Sequence, residues 1–296
     1  MTVVICKIID KRVIKVVYRN RFPGGRLKAL TFSYDDGVQQ DLRLLQIFQT
    51  YHMKATFNLN AGLMEKDKPW YLDDLLIQRL PFEKIKEYYQ DFEVASHTLT
   101  HPRLDLLSSA GIWLELARDK VNLEHAMDCP IKGIAYPFGV YNYETIECLK
   151  ELGIIYGRTT QSTGNFLPPE DFYQWHPTCH HNDRKLMRLA DDFLNLNYAD
   201  TYQIFYVWGH SYEFDSQHNW KRIENFCKKM QDHHDIWYAT NVEICQYILD
   251  SRKLITSPGG GMVINPTETD IWISDENEQA ICIPAKKQIS VFTEDV

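Results

Sequence analysis

A parallel α/β barrel is the fold this chain predicts, and three observations predict it. Seven short β-branched or aromatic runs alternate with amphipathic helical stretches, an order that builds parallel strands joined by crossover helices. No glycine-rich phosphate loop accompanies the first run, which argues against an open doubly wound sheet. Asp35, Asp36, His97, the segment Tyr136-Pro137-Phe138 and His210 all fall just past the C-terminal ends of different runs. In a (β/α) barrel that end carries the active site.

In chain order the strands are expected at 29–34, 55–59, 92–96, 132–136, 154–159, 203–208 and 235–239. Helical periodicity follows at 39–52, 81–90, 108–127, 143–152, 183–196, 219–231 and 242–250. Asp41 and Asn182 suit early helix positions, and Gly153 suits a helix stop. The flanks differ from the centre. Residues 1–18 read as one or two strands, and Phe22-Pro23-Gly24-Gly25 turns the chain into the barrel. After Pro258-Gly259-Gly260-Gly261 only short strands remain, at 262–264, 270–273, 280–283 and 289–292. The expected division is therefore an N-terminal β segment (1–27), the barrel (28–252) and a small C-terminal β appendage (253–296) that pairs with the N-terminal strands.

Apolar residues at 44% and charged residues at 24% are ordinary for a globular chain of 296 residues. A net charge of −8 argues against nonspecific nucleic-acid binding, which needs a basic surface. No run approaches the roughly 18 apolar residues of a membrane span. Lys7, Asp10, Lys11, Arg12 and Lys15 interrupt the N-terminal apolar run, so it does not read as a signal-peptide core. Seven scattered cysteines form no paired framework, and free thiols in a cytoplasmic setting are expected. Oligomeric state is not readable from this chain.

The densest chemistry is Ser96-His97-Thr98-Leu99-Thr100-His101-Pro102 and Tyr34-Asp35-Asp36-Gly37. Two imidazoles and a carboxylate are the donor set of a catalytic zinc-type site with one position left open. The i, i+4 spacing puts both histidines on one side of a helix, whereas Pro102 favours a tight turn. Adjacent aspartates before a glycine often mark a solvated turn, but at a barrel mouth their like charges call for a cation or a shifted pKa.

Four segments in order, Leu30-Thr31-Phe32-Ser33-Tyr34-Asp35-Asp36-Gly37, Ser96 to His101, Ala135-Tyr136-Pro137-Phe138-Gly139 and Trp208-Gly209-His210, resemble the motifs of the polysaccharide deacetylases. These are the NodB-homology enzymes of carbohydrate esterase family 4, and the resemblance covers roughly residues 28–250. It implies a distorted (β/α)7 barrel and a hydrolase that removes N-acetyl or O-acetyl groups from a carbohydrate. By the resemblance Asp36, His97 and His101 hold one divalent metal ion, Asp35 is the general base and His210 the general acid. The backbone N–H of Phe138 would stabilise the oxyanion. Zinc is the expected metal, with Co2+, Ni2+, Mn2+ or Fe2+ suited to the same donors.

Two departures stand out. Ala135 occupies the place where the family often has an arginine beside the base, and Arg158 is either its replacement or a rim ion pair. The first motif has an inserted look, with Ser-Tyr before the aspartates, which lengthens the approach to the base. Among surrounding residues, Trp175 is expected as a wall for a sugar or acetyl methyl, and Tyr136, Asn58, Asn60 and Tyr212 as substrate contacts. His180 is expected near the base or the substrate, and Glu213 at the mouth beside His210. His176, His181 and the His233-His234 pair are expected to be structural, and Cys179 lacks the partners of a nucleophile. A relative cutting cyclic amides or ureides on a small molecule is the alternative function, and a sugar-binding pseudoenzyme a third. An open aromatic mouth would suit a polymer; closure by the 175–181 loop would suit a small molecule.

Overall fold

The computed structural model describes residues 3–9, 12–64, 69–257, 262–275 and 277–290, with side chains from Tyr18 onward. Eight strands form one parallel sheet: β1 (Lys28–Asp35), β2 (Ala55–Leu59), β3 (Glu93–Ser96), β4 (Gly133–Ala135), β5 (Tyr156–Arg158), β6 (Cys179–His180), β7 (Gln203–Gly209) and β8 (Ile236–Tyr238). Their order is β6-β7-β1-β2-β3-β4-β5, and all seven expected runs are present as strands.

Two features make the barrel irregular. One edge of β1 pairs with β7 along its length, but the other is shared. β2 pairs only from Phe32 upward, and β8 fills the lower part from Lys28 to Leu30. The run at 235–239 is thus a short inserted strand, while the seventh stave is a segment expected to be a loop. Trp175 bridges Arg158 of β5 in parallel, and a few residues later Cys179 and His180 of β6 pair with Val207 and Trp208 of β7. Residues 175–180 therefore connect the two ends of the sheet and curl it into a distorted (β/α)7 barrel.

All of β1 is buried, as a parallel strand covered on both faces requires. Its side chains alternate. Leu30, Phe32 and Tyr34 join the apolar core, whereas Thr31, Ser33 and Asp35 make polar contacts to Asn241, Asn58 and Arg158. The helix Ser109–Met127 starts where the Ser108 hydroxyl accepts the Gly111 N–H, and it ends at Asp128 in the left-handed region. Ile112, Leu116 and Leu123 sit on its buried face at helical spacing, and Asp119 shares that face. Gly153, at φ 72°, follows its helix as expected.

Other expectations shift. Asn182 lies in a turn, and its helix begins at Leu186. The 81–90 stretch is a 3-10 turn, Phe82–Lys84, followed by the short helix Ile85–Tyr88. A hairpin, Trp70–Leu72 with Leu75–Ile77, had no strong signal. Outside the barrel, Arg12–Arg21 pairs with Val3–Ile9 and, through Arg19 to Arg21, with Ile271–Ser274, which in turn pairs with Ala280–Ile283. Ile255–Thr256, Met262–Ile264 and Gln288–Ser290 make a separate three-stranded sheet. The Pro258–Gly261 turn and residues 291–292 of the last expected strand lie outside the described residues. Among the described residues no helix is long and apolar enough to cross a membrane, and six cysteines are free thiols.

Candidate active site

Asp35 ends β1 and is buried. The next residue, Asp36, takes φ 82°, so the two neighbouring carboxylates part in different directions. Gly37 continues the left-handed turn, and a Cβ there would meet Leu59 at 2.8 Å. The uninterrupted strand Lys28–Asp35 absorbs the Ser-Tyr pair, so the longer approach leaves no bulge before the base.

Asp35 accepts two hydrogen bonds from Arg158 Nη2, to Oδ1 at 2.7 Å and Oδ2 at 2.5 Å, and one from Asn58 Nδ2 at 2.8 Å. Arg158 is fully buried, with its guanidinium 4.5 Å from the centre of the Trp208 ring. Arg158 therefore supplies the guanidinium that Ala135 lacks, from one strand further round the barrel. Burial works against the Asp35 charge, but Arg158, His97 and His210 outweigh it and hold the carboxyl below its ordinary range.

The two histidines sit in a turn, with Thr98 at φ 65° and His101 at φ 58°. A helical placement is thereby excluded, because these left-handed residues fold the imidazoles back on each other, ring centres 4.7 Å apart. His97 Nδ1 lies 2.7 Å from the Ala135 carbonyl, which only accepts. The proton must be on Nδ1, and the Nε2 lone pair is left to ligate. Burial lowers the His97 pKa to about 4, so the ring is neutral. Ligand atoms of Asp36, His97 and His101 lie within 4.8 Å of one another, and this set of donors fits a divalent cation.

Several groups that carried no recognisable signal fasten this turn. Glu115 accepts from the Thr100 N–H and hydroxyl at 2.8 and 2.7 Å. Asp119 accepts from the Ser96 hydroxyl at 2.6 Å and the Ala61 N–H at 2.8 Å, and burial raises its pKa to about 7. Arg79 Nη2 lies 3.4 Å from Asp36 Oδ1, and Trp70 stacks on that guanidinium at 4.5 Å. Only the folded chain brings these residues to the site.

His210 follows β7. Its Nε2 is 3.8 Å from Asp35 Oδ2, and its Nδ1 is 3.3 Å from Glu213 Oε1. Burial would lower its pKa, but Glu213, Asp35 and Asp36 prevail and raise it to about 9. The Tyr212 ring packs beside it at 5.1 Å, tilted by 33°, and Trp70 meets Tyr212 edge-on. Phe138 is 58% exposed, takes φ 60° and packs on His101 at 4.8 Å. A bulky residue in that region is strained, as is common where a backbone group is aimed for function.

Four expected contacts are corrected. Trp175, 2% exposed, is wedged among Tyr156, Phe172 and Tyr206 because residues 175–180 are a barrel stave, so it walls no substrate. Tyr136 is buried against Gly157 and Tyr141 and donates to the Tyr173 carbonyl at 2.8 Å. Asn58 is buried and spends its amide on Ser33, Tyr34 and Asp35, which makes it a support for Asp35. Asn60 holds the His97 and Thr98 carbonyls.

His180 does not touch Asp35; its Nε2 lies 3.1 Å from Glu213 Oε2. His181, expected to be structural, is fully buried, with Nε2 3.0 Å from the same oxygen. His176 Nδ1 is 2.6 Å from the Thr159 hydroxyl, and His233 Nε2 is 3.0 Å from the Lys229 carbonyl. Cys179 is buried, and burial pushes its thiol up to about 12, so it is no nucleophile at neutral pH.

Residues 24–157 match the polysaccharide deacetylase family, a span that contains Asp35 to Phe138 but not His210. A Mycobacterium smegmatis protein assigned to the polysaccharide deacetylases has a TM-score of 0.57 at 15% identity, over 79% of this chain and 94% of that one. A Streptococcus pyogenes deacetylase in complex with acetate is 27% identical over 44% of this chain, with a TM-score of 0.39; the match spans 55% of its length. A family 4 carbohydrate esterase from Streptomyces lividans in complex with acetate is 14% identical, covering 72% of this chain and 92% of that one, with a TM-score of 0.47. No curated protein matches this chain. The family match and the shared barrel bear out the polysaccharide deacetylase resemblance.

Proposed function

We propose that this protein is a divalent-metal-dependent hydrolase that removes N-acetyl, or O-acetyl, groups from a carbohydrate. The position of Asp35 carries the reading. Its Oδ2 lies 4.0 Å from His97 Nε2 and 3.8 Å from His210 Nε2, so one ionised carboxylate stands between the cation ligands and the acid.

When bound at Asp36, His97 and His101, the cation (zinc by preference for this donor set) supplies the Lewis acidity that brings the pKa of water toward neutrality. Asp35 takes the proton from the attacking water. Arg158 and Asn58 keep its carboxylate ionised and oriented, which matters more than raising its basicity. The Phe138 N–H donates to the oxyanion that develops on the acyl oxygen. His210 gives its Nε2 proton to the departing sugar nitrogen or oxygen. Glu213 accepts from Nδ1, sets the ring orientation, and keeps the imidazole charged at neutral pH.

Tyr212 and Trp70 offer aromatic surface beside His210 for the face of a sugar. Because residues 175–180 form a stave of the barrel, they supply no lid, and the closed pocket that would favour a small cyclic amide loses its main support. An assay of acetate released from acetylated sugars and oligomers, with and without chelator, tests the reading. In Asp35→Asn the cation is retained and turnover falls about 10²- to 10⁴-fold, the range for a lost general base. Equal activity before and after chelation would refute it.

A further inference from the structure

On the far side of His210 lies a second cluster of metal-ligating side chains. Ligand atoms of His180, His210 and Glu213 lie within 4.8 Å of one another. Glu213 is the hub, with Oε2 3.1 Å from His180 Nε2 and Oε1 3.3 Å from His210 Nδ1. A separate observation points to a ligand. His181 is fully buried, its Nε2 lies 3.0 Å from Glu213 Oε2, and neither of its ring nitrogens has a hydrogen bond of good geometry. A buried imidazole left in that state costs free energy unless something further engages it.

We propose that Glu213, His180 and the Nδ1 of His210, with His181 alongside, form a second divalent-cation site whose occupancy shuts the enzyme down. Two or three imidazoles and a carboxylate are zinc-type donors, distinct from the Asp36 set. Binding displaces the Nδ1 proton of His210 to solvent, and the cation takes its place on that nitrogen. The ring then keeps a single proton, on Nε2, whose loss would leave an imidazolate. Such a ring is a poor acid toward a leaving amine. The same event takes Glu213 away from His210. The catalytic cation and the inhibitory one thus bind on opposite sides of the pair formed by Asp35 and His210. The inhibitory consequence rests on the function proposed above; the site itself does not.

Zinc alone is the probe. Metal analysis after equilibrium dialysis is expected to find two equivalents per chain in the unaltered protein and one in His180→Ala. His97→Ala keeps one, and the double variant binds none. Raised zinc suppresses acetate release in the unaltered protein, and His180→Ala relieves that suppression. His180→Gln, which keeps the shape of the side chain, repeats the loss of one equivalent if His180→Ala folds poorly. A single equivalent in the unaltered protein, unchanged by either His180 substitution and lost in His97→Ala, overturns the second site and leaves the first standing. If His97→Ala still binds two while His180→Ala loses one, the second site stands and the Asp36 centre falls.

Discussion

The two histidine–carboxylate clusters use the same side-chain chemistry and put it in opposite charge states. At Asp36–His97–His101, His97 is buried, donates its Nδ1–H hydrogen bond to a neutral carbonyl, and has its pKa lowered to about 4. At His210–Glu213, Nδ1 faces a carboxylate, and the pKa rises to about 9. Both rings face Asp35 with Nε2, at 4.0 and 3.8 Å. The partner on the other nitrogen separates them: a carbonyl leaves a neutral ligand, a carboxylate holds a charged acid. One barrel mouth can therefore hold a Lewis base and a Brønsted acid on either side of one aspartate.

Removing the neutral partner is the harshest way to break this contrast. His97→Ala is expected to lose the tightly held cation, and acetate release should drop to background; full occupancy in that variant would contradict the ligand assignment. Next comes His210→Ala, which keeps the cation held by Asp36, His97 and His101 and loses about 10²- to 10⁴-fold in turnover. The deficit should shrink for acetate esters with good leaving groups, because those need no proton, and a deficit independent of leaving group would remove His210 from that role.

Arg158→Met acts on the shared aspartate. It strands a buried charge, at a cost of about 3–5 kcal/mol in a denaturant titration. It also raises the Asp35 pKa, so the acid limb of the pH–rate profile moves to higher pH. The sign follows from the lowered pKa of Asp35: its contribution to stability is present above the ordinary carboxylate range and is lost as pH falls through the lowered value. A smaller loss of turnover than in His210→Ala is expected from Glu213→Gln, which leaves the His210 ring in place but removes the charge that keeps it protonated at neutral pH. His210 is held protonated up to about 9, and its stabilising contribution disappears as pH rises through that value. Without the Glu213 charge the alkaline limb should move to lower pH, and an unmoved limb would show that another group sets it.

The chemistry that could be read in advance was local. Asp35-Asp36-Gly37 and the His97–His101 turn each lie within one short segment, where spacing alone brings donors together. The place of His210 at the barrel mouth was legible from its position after a strand, and its expected role as an acid came from the family resemblance. Residues whose meaning depends on which way a barrel wall faces were misjudged. Trp175 and Tyr136 look like mouth aromatics in one dimension, yet both are packed away. Asn58 was expected at substrate and instead braces Asp35. Arg79, Glu115 and Asp119 had no motif to mark them, since their partners are between 15 and 58 positions away.

Strand–helix alternation and the turn chemistry of the motifs were enough to specify a parallel barrel and its reactive rim, because hydrophobic periodicity and local backbone geometry are written in neighbouring residues. Closing that barrel with residues 175–180, bringing Arg158 to Asp35 across 123 positions, and gathering three imidazoles around Glu213 were decided by packing. Such contacts owe their energy to burial and exclusion of water, and those exist only once the sheet has curled.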